Sequence, residues 1–227
     1  MLEIRAINSV AEADASAEYF RKVWADGPEV VPMDLIVAGA HVDCYAFNAY
    51  EANQIVASSF GLRGSFQGQS ILHSHVTAAT QKGVGFELKQ HQRAWAKSRD
   101  ISAITWTFDP LVRRNCYFNF GKLGATAIEY LENFYGAMPD AINAGEESDR
   151  FFAWWDLTEA SPKRFVEVAR VAIPEDIEAL RVADIAAASQ WRLQVREQLQ
   201  PWFTAGAQVT GMSQDRTELI VSKKVTE

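Results

Sequence analysis

Cysteine is scarce in this chain. Cys44 and Cys116 are the two in 227 residues, and their spacing makes neither a disulfide framework nor a metal-binding knuckle. Both read as reduced, partly buried small apolar residues. Long hydrophobic runs are missing too: no stretch approaches the ~18 apolar residues of a membrane span, and Met1-Leu2-Glu3-Ile4-Arg5 has no apolar signal core. A cytoplasmic location without a membrane partner is the resulting expectation. Concentrated positive charge is absent as well. Lys and Arg number 22 against 29 Asp and Glu, a net charge of -7, and they are scattered. Phosphate neutralisation along a nucleic acid needs clustered cations, so a general nucleic-acid binder is disfavoured. A local spot around Lys82, Lys89, Arg113 and Arg114 still suits a small polyanion. No repeat or low-complexity segment breaks the chain, and 48% hydrophobic with 22% charged residues is the composition of a globular protein able to bury a substantial core.

What the sequence does contain is an abrupt change of period between residues 72 and 89. Leu72-His73-Ser74-His75-Val76-Thr77 reads as a buried strand, and Gln81-Lys82-Gly83-Val84-Gly85-Phe86 is a glycine turn leading straight into a helix with the stripe Val84, Leu88, His91 and Trp95. The first N–H groups of a helix lack partners and carry the positive end of its dipole. Gly83 and Gly85 allow close approach to the backbone and Lys82 adds charge, so this junction is an anion seat suited to a pyrophosphate.

Around it the elements alternate. Ile4 and Ala6 suit a first strand, Ser9 to Glu12 has capping-box spacing, and Ala13, Ala17, Phe20 and Trp24 share a helical face that Asp26-Gly27-Pro28 ends. A short helix covers Leu35 to Ala38. From His41 the pattern turns strand-like, with a return strand over Ile55 to Leu62 and a loop over Gly61 to Gln69. After the helix of about 85–97, the strand Ile101 to Phe108 requires a parallel crossover. A helix is expected over Val112 to Leu123, stopped at Gly124, then strands over Ala125 to Asn133 and Phe151 to Leu157 joined by a long loop. The division is a core of 1–157 and an extension of 158–227. In the extension Ile173-Pro174-Glu175-Asp176-Ile177 starts a helix, Trp191, Val195 and Leu199 form a stripe, and Val209 and Leu219 to Val221 close a hairpin.

The junction, with Thr105-Trp106-Thr107-Phe108-Asp109-Pro110-Leu111, Arg114-Asn115, Lys122-Leu123-Gly124-Ala125, Asn133-Phe134-Tyr135-Gly136, Ile142-Asn143-Ala144-Gly145 and Ser148-Asp149-Arg150, resembles the GCN5-related N-acetyltransferase superfamily. The likeness is strong over about 70–157 and looser in the flanks. It implies an α/β (α+β) fold whose mixed central sheet is splayed between two parallel strands, here with a C-terminal helix-plus-hairpin appendage. It also implies acetyl-CoA or another acyl-CoA as cofactor, a small-molecule amine as acceptor, and leaves room for a homodimer. Val76 and Thr77 would bond the pantetheine arm, Gln81, Lys82, Gly83, Val84, Gly85 and Phe86 would cradle the diphosphate, and Asn115 would hold the cofactor or simply cap its helix. Asn133, Tyr135, Asn143 and Arg150 would line the acceptor cleft. Two departures stand out. Counting back from Gly83-Val84-Gly85 puts Thr80 rather than Gln81 at the family's Arg or Gln position, and Phe120 stands where the family has a proton-donating tyrosine.

Acyl transfer by direct attack needs a free amine. An alkylamine of pKa about 10.4 is deprotonated at pH 7 only about one part in 2500, a cost of ~4.6 kcal/mol. His73 and His75, at strand spacing, are candidates for the general base; the alternatives are hydrogen-bonded core histidines or, with no third ligand in pattern, a metal pair. Tyr117, one turn before Phe120, is the candidate acid or else a packing aromatic. Arg150 either fixes a substrate carboxylate or pairs with Asp149. The expected activity is N-acyl transfer; the alternatives are a degenerate member that binds a ligand or partner without catalysis, and a structural partner of another enzyme.

Overall fold

A computed structural model describes residues 1–24, 30–136, 147–158 and 164–225. Contacts divide them into two compact units, one of Met1–Trp106 with Asp156–Thr158, the other of Thr107–Trp155 with Glu159–Glu227. The expected Asp26-Gly27-Pro28 stop lies outside the described residues.

In the first unit the strands run in the order β1 (Glu3–Ala6), β2 (Tyr45–Glu51), β3 (Gln54–Phe66), β4 (Gln69–Ala79), β5 (Ala103–Phe108), the last two residues of β5 being counted with the second unit. Neighbours are antiparallel except β4 and β5, the parallel pair required by the crossover through α3 (Val84–Lys97). Helices α1 (Val10–Val23) and α2 (Met33–His41) pack on one face, where Phe20 and Ile36 meet Phe60, Val76 and Ala78. Helix α3 covers Ala49, Val56 and Ala57 on the other with Val84 and Leu88. Helix α1 begins as its sequence predicts: Ser9 Oγ accepts the Glu12 N–H, and Glu12 reaches back to the Asn8 N–H.

Two boundaries differ from the sequence reading. Residues 61–69 are not a loop: β3 runs on to Phe66 and β4 starts at Gln69, around the two-residue turn Gln67-Gly68, both at positive φ (49° and 76°). Pairing from Leu62↔His73 to Phe66↔Gln69 holds the glycines and serines of this segment in a ladder despite their low strand preference. The helix also extends through His41, so β2 begins at Tyr45 rather than at His41.

The second unit orders its strands β7 (Arg150–Asp156), β6 (Thr126–Leu131), β9 (Gln208–Met212), β10 (Glu218–Lys224), β8 (Phe165–Ala172). Strand β8 pairs with β10, a strand that the helix-plus-hairpin reading of the extension does not include. The helix expected over 112–123 is α4 (Arg113–Cys116) continued by a π-helical segment, Tyr117–Lys122. The extension adds α5 (Ile177–Ala183) and α6 (Ile185–Thr204), each started by an aspartate cap, Asp176 and Asp184. An aromatic cluster of Phe108, Phe120, Tyr130, Phe151 and Phe203 fills this unit's centre. No helix among the described residues is long and apolar enough to cross a membrane.

Candidate functional site

The register between β3 and β4 passes from Phe60↔Val76 to Leu62↔His73, three steps on β4 against two on β3. The extra residue is a β-bulge at Ser74 and His75. Pairing of β4 with β5 covers Ile71↔Ala103 to His73↔Thr105, and β4 continues beyond it to Ala79. Thr80 is still tied to the sheet, its N–H bonding the Val56 carbonyl at 3.1 Å and its hydroxyl the Tyr19 hydroxyl at 3.2 Å. The turn proper is therefore Gln81-Lys82-Gly83. Gly83 has φ 91°, a conformation that L side chains rarely adopt, and accepts the first helical bonds from Phe86 and Glu87. The N–H groups of residues 81–85 make no hydrogen bond to described residues. Gln81, Lys82 and Gly83 are exposed, Gly85 and Phe86 half-buried, and Val84 anchors the turn in the core. Gly83 has no Cβ and an added one would meet open space, and Lys82 stands exposed beside it.

The two histidines expected on one strand face flank Ser74 at the bulge. His73 is half-buried with Nδ1 3.1 Å from Thr105 Oγ1, His75 is exposed, and the rings lie 6.4 Å apart. Burial pushes the His73 imidazolium down to about 4, with His75 and Lys89 adding repulsion. His73 is thus neutral and weakly basic at pH 7. Val76 is buried and its carbonyl accepts the Ser59 hydroxyl at 3.0 Å.

Sequence reasoning missed what lies beneath the bulge. Lys89, on α3, is 6% exposed, and its Nζ donates to Ser74 Oγ at 2.7 Å and to Gln92 Oε1 at 3.2 Å, with the Trp106 ring 4.4 Å away. Gln92 Nε2 donates to Ser59 Oγ at 3.4 Å, Ser59 Oγ lies 2.7 Å from Thr77 Oγ1, and Thr77 Oγ1 lies 3.4 Å from Ser74 Oγ. The five side chains close a ring. Burial lowers the Lys89 ammonium from 10.5 to about 7. The signal in the sequence is a lysine and a glutamine at i and i+3 beside the apolar stripe, positions an ordinary amphipathic helix gives to apolar residues.

In the second unit the candidate residues gather differently. Asn133 Oδ1 accepts the Ser148 N–H at 3.1 Å, and the Asn133 N–H reaches Asp149 Oδ1 at 3.0 Å. Tyr135 keeps its hydroxyl 2.8 Å from Thr107 Oγ1, with the Arg150 guanidinium 5.7 Å from its ring. Arg150 Nη1 donates to the Asp149 carbonyl at 2.9 Å, while Arg196 takes the Asp149 carboxylate through Nε at 2.9 Å and Nη2 at 2.7 Å. Asn143 lies outside the described residues. Asn115 is half-buried on the first turn of α4, and the N-cap is Val112 instead. Tyr117 is stacked under the Arg216 guanidinium at 3.7 Å and lines a cavity of about 330 Å³ with Phe120, Gly121 and residues 211–214. Phe120 is buried among aromatic rings and offers no proton. Asp109, also missed, is buried and accepts Arg181 at 2.6 Å and Arg192 at 3.2 Å, with Arg150 at 4.0 Å. Burial pushes its carboxyl up, but the three guanidinium groups outweigh that and hold it below the usual range.

The sequence matches no family model and no curated relative. Solved structures supply the likeness. A putative acetyltransferase from Salmonella typhimurium, yncA, determined with acetyl-CoA, superposes at TM-score 0.55 and 16% identity, covering 72% of this chain and 98% of its own. An acetyltransferase of the GNAT family from Streptococcus pneumoniae gives TM-score 0.53 at 13% identity over 68% and 98%. FeeM, an N-acyl amino acid synthase from uncultured soil microbes, gives 0.54 at 11% over 70% and 92%. The chain has the GCN5-related N-acetyltransferase fold, as its motifs implied.

Proposed function

We propose that this chain is an acyl-coenzyme A-dependent N-acyltransferase, acting on a small-molecule amine, with 1–157 as the acyltransferase core and 158–227 as an extension. The observation that carries the reading is the Gly83 turn, where the N–H groups of residues 81–85 make no hydrogen bond among the described residues on the way into α3, next in sequence to a strand that outruns its pairing with β5. These residues fit coenzyme A. Residues 81–85 would take its diphosphate, Lys82 would add charge at the exposed rim, and the β4 edge at Val76 and Thr77 would align its arm as an added strand. When bound, the cofactor supplies an acyl group activated as a thioester. The chain's own part is to hold and orient it and to receive an amine in its free form.

Asn133, Tyr135 and Arg150 are the acceptor-side candidates, gathered about Ser148 and Asp149. A neutral His73 of pKa about 4 is a poor base for an ammonium, so acceptor deprotonation falls to His75 or to water. A second reading, a GNAT-fold binding protein without turnover, is favoured by Phe120 in the place of a proton donor. The expected site of action is the cytoplasm. Titration calorimetry with acetyl-CoA tests the first reading: binding at micromolar concentration is expected, weakened at least tenfold by Gly83→Val, whose side chain cannot hold φ 91° without strain. No heat and no competition at millimolar acetyl-CoA would remove it. Release of free thiol with any amine panel would remove the second reading.

A further inference from the structure

The buried ring under β4 is polar where leucine or methionine would fill a core without burying an amine. Among the described residues no carboxylate pairs with Lys89, and burying an amine without one is costly. What the ring does is geometric. Ser74 lies in the bulge, Thr77 just after it, and Ser59 on the partner strand also holds the Val76 carbonyl at 3.0 Å. A bulge loses ladder bonds and so leaves its strand less determined, and here side chains restore the lost constraint. Lys89 is the joint of this ring, since it bonds Ser74 directly to α3, whereas Gln92 reaches Ser74 through Ser59 and Thr77. It also sits six residues, about 9 Å, along the helix from the Gly83 turn. One helix therefore fixes both the free amides at its start and the strand edge beneath which it runs.

We infer that Lys89 is a positioning residue for the β4 edge, clamping through Ser74 the bulge that presents Val76 and Thr77 to the arm of coenzyme A; this rests on the cofactor reading above. The ligand chemistry it serves is the amide-bearing pantetheine arm and not the nucleotide end. Breaking the ring should loosen the edge while leaving the Gly83 turn in place.

The experiment is calorimetry on the full chain with two probes, coenzyme A and adenosine 3′,5′-bisphosphate, which has the nucleotide end without the arm. In Lys89→Met the dissociation constant for coenzyme A should rise about tenfold, the size of one or two lost hydrogen bonds, with that for the bisphosphate unchanged. Ser74→Ala, a smaller change, should give the same pattern. Hydrogen exchange at residues 74–78 should quicken in both variants while β2 stays protected. An equal loss for both probes, or an unchanged coenzyme A constant, overturns the inference with the cofactor reading intact. A wild-type chain that binds neither probe removes the cofactor reading, and the inference with it.

Discussion

Replacing Lys89 by methionine gives the sharpest stability prediction, because the cost of the buried amine depends on pH in a known direction. The folded ammonium titrates near 7 instead of 10.5. Between those values the unfolded chain holds a proton that the folded chain has shed, so stability rises with pH across that window and the cost is greatest at its lower end. Each pH unit inside the window is worth about 1.36 kcal/mol, and allowing for rounding at both ends the change from pH 9.5 to pH 7 is about 3 kcal/mol. Methionine keeps the unbranched stem and does not titrate. It loses the bonds to Ser74 and Gln92, worth about 1 kcal/mol each, and leaves Gln92 Oε1 short of a donor, a further ~1–3 kcal/mol. Those losses do not vary with pH. Urea unfolding of both proteins followed by tryptophan fluorescence should show the variant gaining about 3 kcal/mol on wild type between pH 9.5 and pH 7. The remaining lysines titrate alike in both and cancel. Parallel stability curves, differing by a constant, would refute the reasoning.

The Gly83 turn was readable in the sequence because local rules set it: a period of two gives way to a period of 3.6 with two glycines between. The long-range features were not. A bulge is a mismatch of residue counts between two strands, so nothing in Leu72 to Ala79 alone reveals that Ser74 and His75 share one partner position. The stretch Gly61 to Gln69 has the composition of a loop, and what makes it strand is pairing across the Gln67-Gly68 turn. Strand β8 carried its signal openly in Val166, Val168 and Val171, yet the valines at 166 and 168 are exposed, so a search for a buried face passes over them. Ion pairs were least accessible. Arg181 and Arg192 reach Asp109 across 72 and 83 residues, and Arg196 reaches Asp149 across 47, separations at which one sequence holds no trace of contact.

Three more outcomes follow. In an NMR titration the His73 ring should reach its midpoint near pH 4, and a midpoint above 6 would contradict its desolvation by β4 and β5. Gly68→Ala should lower stability by about 1 kcal/mol in urea unfolding, since φ 76° at the β3–β4 turn suits glycine and strains alanine. Asp109→Asn should be the most destabilising of these changes, by about 3–5 kcal/mol, because it removes the buried carboxylate on which Arg181, Arg192 and Arg150 converge. Its pH dependence separates charge from shape. The folded carboxyl lies below its ordinary 3.8, so its stabilisation is present above that value and is lost as pH falls through the folded value. The gap between wild type and Asp109→Asn should therefore hold steady from pH 7 to pH 5 and narrow in more acidic urea titrations. A gap that stays constant to pH 2 would mean that asparagine fails by its hydrogen bonding, and that the arginines' charges are compensated elsewhere.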